Sequence, residues 1–148
     1  MGSMTASKRI NAPPERVFKL ATDLERAAEH IDCIDKIELL TPPPIGKGTR
    51  WLETRTMFGK QATEEMEMTA FDPPSSYTAG IESCGCRYDC TFRFLREGDA
   101  TNVMLEMNWR PVTWIAWLMS PMSWLMSGVM KKAINQDLGD LKRVAVRG

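Results

Sequence analysis

Few residues in this chain have side chains and spacings suited to chemistry. His30 is the only histidine, and an imidazole exchanges protons near neutral pH. No carboxylate and nucleophile stand with it in a recognisable pattern, and a lone histidine is more often a surface residue. Cysteines stand at 33, 84, 86 and 90. Cys84-Gly85-Cys86 is one residue short of the C-x2-C pair typical of zinc sites, so no metal is expected. The four read better as small apolar strand residues kept reduced. No glycine-rich phosphate loop appears, and no cofactor is expected. The remaining group is Glu53, Arg55 and Glu64: a guanidinium between carboxylates, able to bind a polar group or move a proton.

Those three residues fall where hydropathy alternates with period two. Arg50–Phe58 and Gln61–Asp72 flank Gly59-Lys60, which reads as a two-residue hairpin turn. That turn sets Trp51 opposite Met68, Glu53 opposite Met66 and Arg55 opposite Glu64. The methionines then pull Glu53, Arg55 and Glu64 to the covered face, and Arg55 is expected to pair with Glu64. Charges on a covered face need partners. A structural ion pair at a cavity edge and a polar anchor for a ligand are both consistent with this pattern.

More strands surround the hairpin. Residues 5–11 and Ile34–Thr41 read as strands, the latter closed by Pro42-Pro43-Pro44. Asp72-Pro73-Pro74 breaks the sheet before Tyr77–Ser83. Cys86, Tyr88, Cys90, Phe92 and Phe94 form one apolar face, and Val103, Leu105, Met107 and Trp109 form the next. The opposite face is polar, as in antiparallel sheets with one wet side. Between the first two strands, Pro13-Pro14-Glu15 opens a helix with Val17, Leu20, Ala21 and Leu24 at helical spacing. Asp23 is placed to cap a second short helix running to about His30.

The chain ends differently. From Pro111 to Met130 there is no charged residue. Met130, Ile134, Leu138, Leu141 and Ala145 then form one apolar helical stripe. Ser120-Pro121 is expected to kink or restart this helix. The uncharged stretch has about bilayer length, but its prolines, glycine and serines favour a helix covering the sheet. The tryptophans and methionines read as core, at a density that suits an adaptable apolar pocket between sheet and helix, and Tyr77 and Tyr88 read as core residues or as hydroxyls facing that cavity.

Composition narrows the function classes. The 148 residues carry 19 basic and 19 acidic side chains, so no net positive field invites nucleic acid. The length fits one domain, taken as residues 4–148, because Met1-Gly2-Ser3 ahead of Met4 reads as an added leader. No signal peptide precedes Met4, and a cytoplasmic location is expected.

Several of these segments together resemble the START-like (SRPBCC) superfamily, often described as polyketide cyclase/dehydrase and lipid transport. The resemblance is carried by Ile10-Asn11-Ala12-Pro13-Pro14-Glu15-Arg16-Val17-Phe18, Gly46-x-Gly48-Thr49, Phe71-Asp72-Pro73-Pro74 before Tyr77, and Met130-Lys131-Lys132-Ala133 through Asp140-Leu141-Lys142-Arg143. It implies an α+β helix-grip fold in the order β-α-α-β6-α, with a curved seven-stranded antiparallel sheet around a long C-terminal helix. It also implies a pocket for a small apolar molecule, but no universal catalytic motif.

The leading expectation is therefore binding or transport of a small hydrophobic ligand by a monomer or homodimer. Trp51, Met66, Met68, Tyr88, Phe92, Leu105, Met107, Trp109 and Trp117 are the expected apolar contacts. Glu53, Arg55 and Glu64 would orient its polar end. The alternative is a cyclase or dehydratase drawing its catalytic group from Glu53, Glu64, Arg55 and His30. A third reading uses Trp114 to Met126 to dock transiently on a membrane or a protein.

Overall fold

The alternating segments form seven strands of one antiparallel sheet. The structure, a computed structural model, describes residues 2–57, 59–83, 85–114 and 120–147, with residues 57, 60, 83, 120–130 and 147 described by backbone alone. Strand β1 is Gly2–Ile10, β2 is Ile34–Leu39, β3 is Arg50–Met57 and β4 is Lys60–Asp72. Strand β5 is Ser76–Ser83, β6 is Cys86–Glu97 and β7 is Ala100–Pro111. Their spatial order is β1-β7-β6-β5-β4-β3-β2, so β1 and β2 are the two edges. The connection between these edges carries α1 (Pro14–Ala21), a 3₁₀ turn (Leu24–Arg26) and α2 (Ala27–His30). The described part of the last helix, α3, is Ser120–Arg147.

Three local readings change. β1 begins at Gly2, which pairs with Trp109, so residues 2 and 3 join the sheet. Asp23 precedes the 3₁₀ turn but its side chain makes no capping bond. The β3–β4 pairing runs to Met57 against Lys60, and Gly59 takes φ +77°. A left-handed backbone suits glycine, and this fixes the turn one residue earlier than expected. Every pair shifts by two: Trp51 faces Met66, Glu53 faces Glu64 and Arg55 faces Ala62. A shift of two keeps each side chain on its expected face.

The core lies between the sheet's inner face and the helices. Ile10, Val17 and Val103 are wholly buried, with Met68 and Leu138 nearly so. Phe18 of α1 meets the rings of Phe71, Tyr77 and Phe94 at 5.5, 5.9 and 5.2 Å. Tyr77 also stacks on Phe92 at 4.7 Å. This aromatic group joins the first helix to the middle strands. On α3, Ile134, Leu138, Leu141 and Ala145 are buried, as the stripe required. The Met130 side chain and residues 115–119 lie outside the described residues; the backbone at the expected break, Ser120-Pro121, is helical and opens the described part of α3.

The other helical junction is polar. Asp140 of α3 accepts the Asp32 backbone N–H at 3.1 Å. Arg143 reaches the His30 carbonyl at 3.4 Å and Asp32 at 3.5 Å. These bonds fix the end of α2 against α3, and so fix where His30 sits.

Candidate functional site

Sheet and helices do not close completely on each other. They enclose a cavity of about 290 Å3. Its sheet wall is Trp51, Glu53 and Arg55 of β3, Met66 and Met68 of β4, Tyr77, Ala79 and Ile81 of β5, Cys90 and Phe92 of β6, and Leu105 and Met107 of β7. Its helical wall includes Leu20, Leu24, His30, Ile134, Asp137, Leu138 and Leu141. The lining is mostly apolar, as ligand cavities are.

One charged cluster interrupts it. Arg55 Nε donates to Glu53 Oε2 at 2.5 Å, and Arg55 Nη1 donates to Asp137 Oδ2 at 2.8 Å. Trp51 Nε1 donates to the other Glu53 oxygen at 3.3 Å. Glu53 is 8% exposed, while Arg55 and Asp137 are half-buried. Burial works against the charge on Arg55, but Glu53 and Asp137 outweigh it and raise its pKa. Burial pushes the Asp137 carboxyl up, with Arg55 pulling it partly back. Asp137 Oδ1 is buried without a hydrogen-bond partner among the described residues. His30 Nδ1, on the same cavity, is in the same condition.

Two further groups in the wall stay protonated. Burial pushes the Cys90 thiol up to about 12 and holds the Tyr77 phenol well above its ordinary value. Cys33 and Cys86 are half-buried free thiols, and Cys84 lies outside the described residues. Among the described residues no group of three His, Cys, Asp or Glu side chains could hold a metal ion.

The expected site residues therefore divide. Trp51, Glu53, Arg55, Met66, Met68, Phe92, Leu105, Met107 and His30 share the cavity wall. Glu64, Tyr88 and Trp109 are not in that wall. Glu64 stands opposite Glu53 in the sheet, and Arg55 takes Glu53 and Asp137 rather than the partner first expected. Trp109 closes over Gly2, where an added Cβ would come within 2.5 Å of the indole, and Tyr88 sits beside Trp109 in register. Trp117 lies outside the described residues. Asp137 was missed, although it lies three residues after Ile134 and four before Leu141 on the buried stripe. A carboxylate at that position was the available signal.

Among the described residues no helix is long and apolar enough to cross a membrane. Trp114 is exposed, and residues 115–119 of the expected docking segment are not described.

Solved structures share this fold. TTHA0849 from Thermus thermophilus is 25% identical, with 99% of this chain and 98% of that chain covered at a TM-score of 0.76. The di-domain ARO/CYC StfQ of the steffimycin biosynthetic pathway is 8% identical, with 98% of this chain and 50% of that one covered at 0.81. Norcoclaurine synthase from Thalictrum flavum, solved with dopamine and hydroxybenzaldehyde, is 11% identical, with 99% and 87% covered at 0.70. The last two likenesses are of fold alone. No curated protein sequence matches the chain. The family model for polyketide cyclase / dehydrase and lipid transport matches residues 1–146. With the seven-stranded sheet closed by its C-terminal helix, this match makes the chain a member of that family, built on the SRPBCC helix-grip fold.

Proposed function

We propose that the protein binds one small, mostly apolar molecule in the cavity between sheet and α3. The observation that carries this is the cavity itself: about 290 Å3, apolar on nearly every side, with one ion-paired cluster at Glu53, Arg55 and Asp137. Burying apolar ligand surface contributes roughly 25 cal/mol per Å2 before ordering costs, so the hydrocarbon part supplies affinity. The charged cluster orients the polar end. Family membership and the ligands in the norcoclaurine synthase structure support the reading. Native mass spectrometry of protein purified from cells without detergent tests it. A retained 1:1 adduct, or uptake from a panel of fatty acids, sterols and aromatic polyketides, is expected. An empty protein that ignores the whole panel contradicts it.

A second reading, catalysis of cyclase or dehydratase type, is favoured by Asp137. A carboxyl pushed up by burial beside an arginine can pass a proton while the guanidinium stabilises an enolate. Holding a flexible chain in the cavity would remove entropy before the reaction. The first carboxylate to substitute is then Asp137, followed by Glu53. If the protein turns over a polyketide, Asp137→Asn should abolish turnover while a stable substrate analogue still binds. Full activity of that variant removes this mechanism.

A further inference from the structure

The cavity's charge is unbalanced, and this bears on what it accepts. Among the described residues, its titratable lining groups are Glu53 and Arg55 from β3, Tyr77 from β5, Cys90 from β6, His30 from α2 and Asp137 from α3. Arg55 is the only arginine or lysine among them, and it faces two carboxylates at once. Two carboxylates therefore share one guanidinium, one negative charge in excess. Inside an apolar enclosure such a charge is weakly screened. Tyr77 and Cys90 contribute no compensating positive charge.

Of the two buried polar atoms on the cavity without a partner among the described residues, His30 Nδ1 donates or accepts according to its tautomer, whereas the other only accepts when ionised. Asp137 Oδ1 is a buried acceptor with no partner among the described residues. A buried acceptor left unmatched is costly, and a donor brought by a ligand removes that cost. An incoming carboxylate would meet Arg55 only beside two like charges already bonded to it. Resting on the cavity-binding reading above, we infer that the site selects a compact apolar molecule whose polar end donates hydrogen bonds, an ammonium or a hydroxyl, and disfavours one ending in a carboxylate.

Three probes of matched shape test this: 2-(2-naphthyl)ethylamine, 2-(2-naphthyl)ethanol and 2-naphthylacetate, each titrated calorimetrically at pH 8, where the free amine is an ammonium and the free acid a carboxylate. The amine and the alcohol should bind 1:1, with the acid weaker by about tenfold or more. In Asp137→Asn the preference for amine over acid should shrink by about tenfold, with thermal unfolding reporting an intact fold. Acid binding equal to or tighter than the amine overturns the inference and leaves the cavity reading standing. An unchanged preference in the variant overturns the role given to Asp137. Failure of all three probes in the wild-type protein overturns the cavity reading and this inference with it.

Discussion

Arg55 is the residue on which the charged cluster depends, because it alone separates Glu53 from Asp137. Arg55→Ala leaves two carboxylates facing each other in an apolar wall. Breaking a buried pair costs about 3–5 kcal/mol, and partial exposure of Arg55 and Asp137 reduces this, so a loss on the order of 2–4 kcal/mol is expected in urea denaturation. A loss below about 1 kcal/mol would mark the cluster as solvated. Asp137 has its own signature. Its folded pKa is raised above the usual 3.8 by burial. Its contribution to stability is therefore fullest below that value and is lost as pH rises through the folded pKa. Asp137→Asn has no such loss, so the variant should gain stability relative to wild type as pH rises from about 4 toward neutrality. Denaturation curves of both proteins across that window check it, and a gain in the opposite direction contradicts it.

At the scale of elements, the aromatic contacts of Phe18 hold α1 on the sheet. Phe18 is 4% exposed and touches three rings, so Phe18→Ala should cost about 3–5 kcal/mol in the same assay. A cost near zero would mean that α1 contributes little to the fold. The strands were legible because a half-buried antiparallel sheet writes its two faces as alternation. Trp51, Glu53 and Arg55 kept their face even though the pairing slid by two, since side-chain direction has that same period. The partner of Arg55 was not legible from pairing, because it depended on the turn position and on a helix more than eighty residues away in sequence. Asp137 could be placed on the inner face of α3 by counting from Ile134 and Leu141. Its meeting with Arg55 depends on how α3 lies across the sheet, which helical periodicity does not specify. The closure of Trp109 over Gly2 was hidden for a different reason: those first residues read as a leader outside the fold.

The whole molecule is a sheet and a helix that meet along buried stripes and part around one cavity. That architecture belongs to a family with varied chemistry, so the activity must be argued from the site and not from the fold. The central claim is that the cavity, and no surface patch, is where the ligand sits. Ala79 is 3% exposed and lines the cavity from the middle of β5. Ala79→Phe would fill part of the space, with an overpacking cost of about 1–3 kcal/mol. The most direct measurement is a calorimetric titration of 2-(2-naphthyl)ethanol into the wild-type protein and into Ala79→Phe, with thermal unfolding confirming that the variant is folded. One site is expected in the wild type, with at least a roughly tenfold weaker affinity in the filled variant. Equal binding by the two proteins would place the ligand elsewhere and contradict the claim.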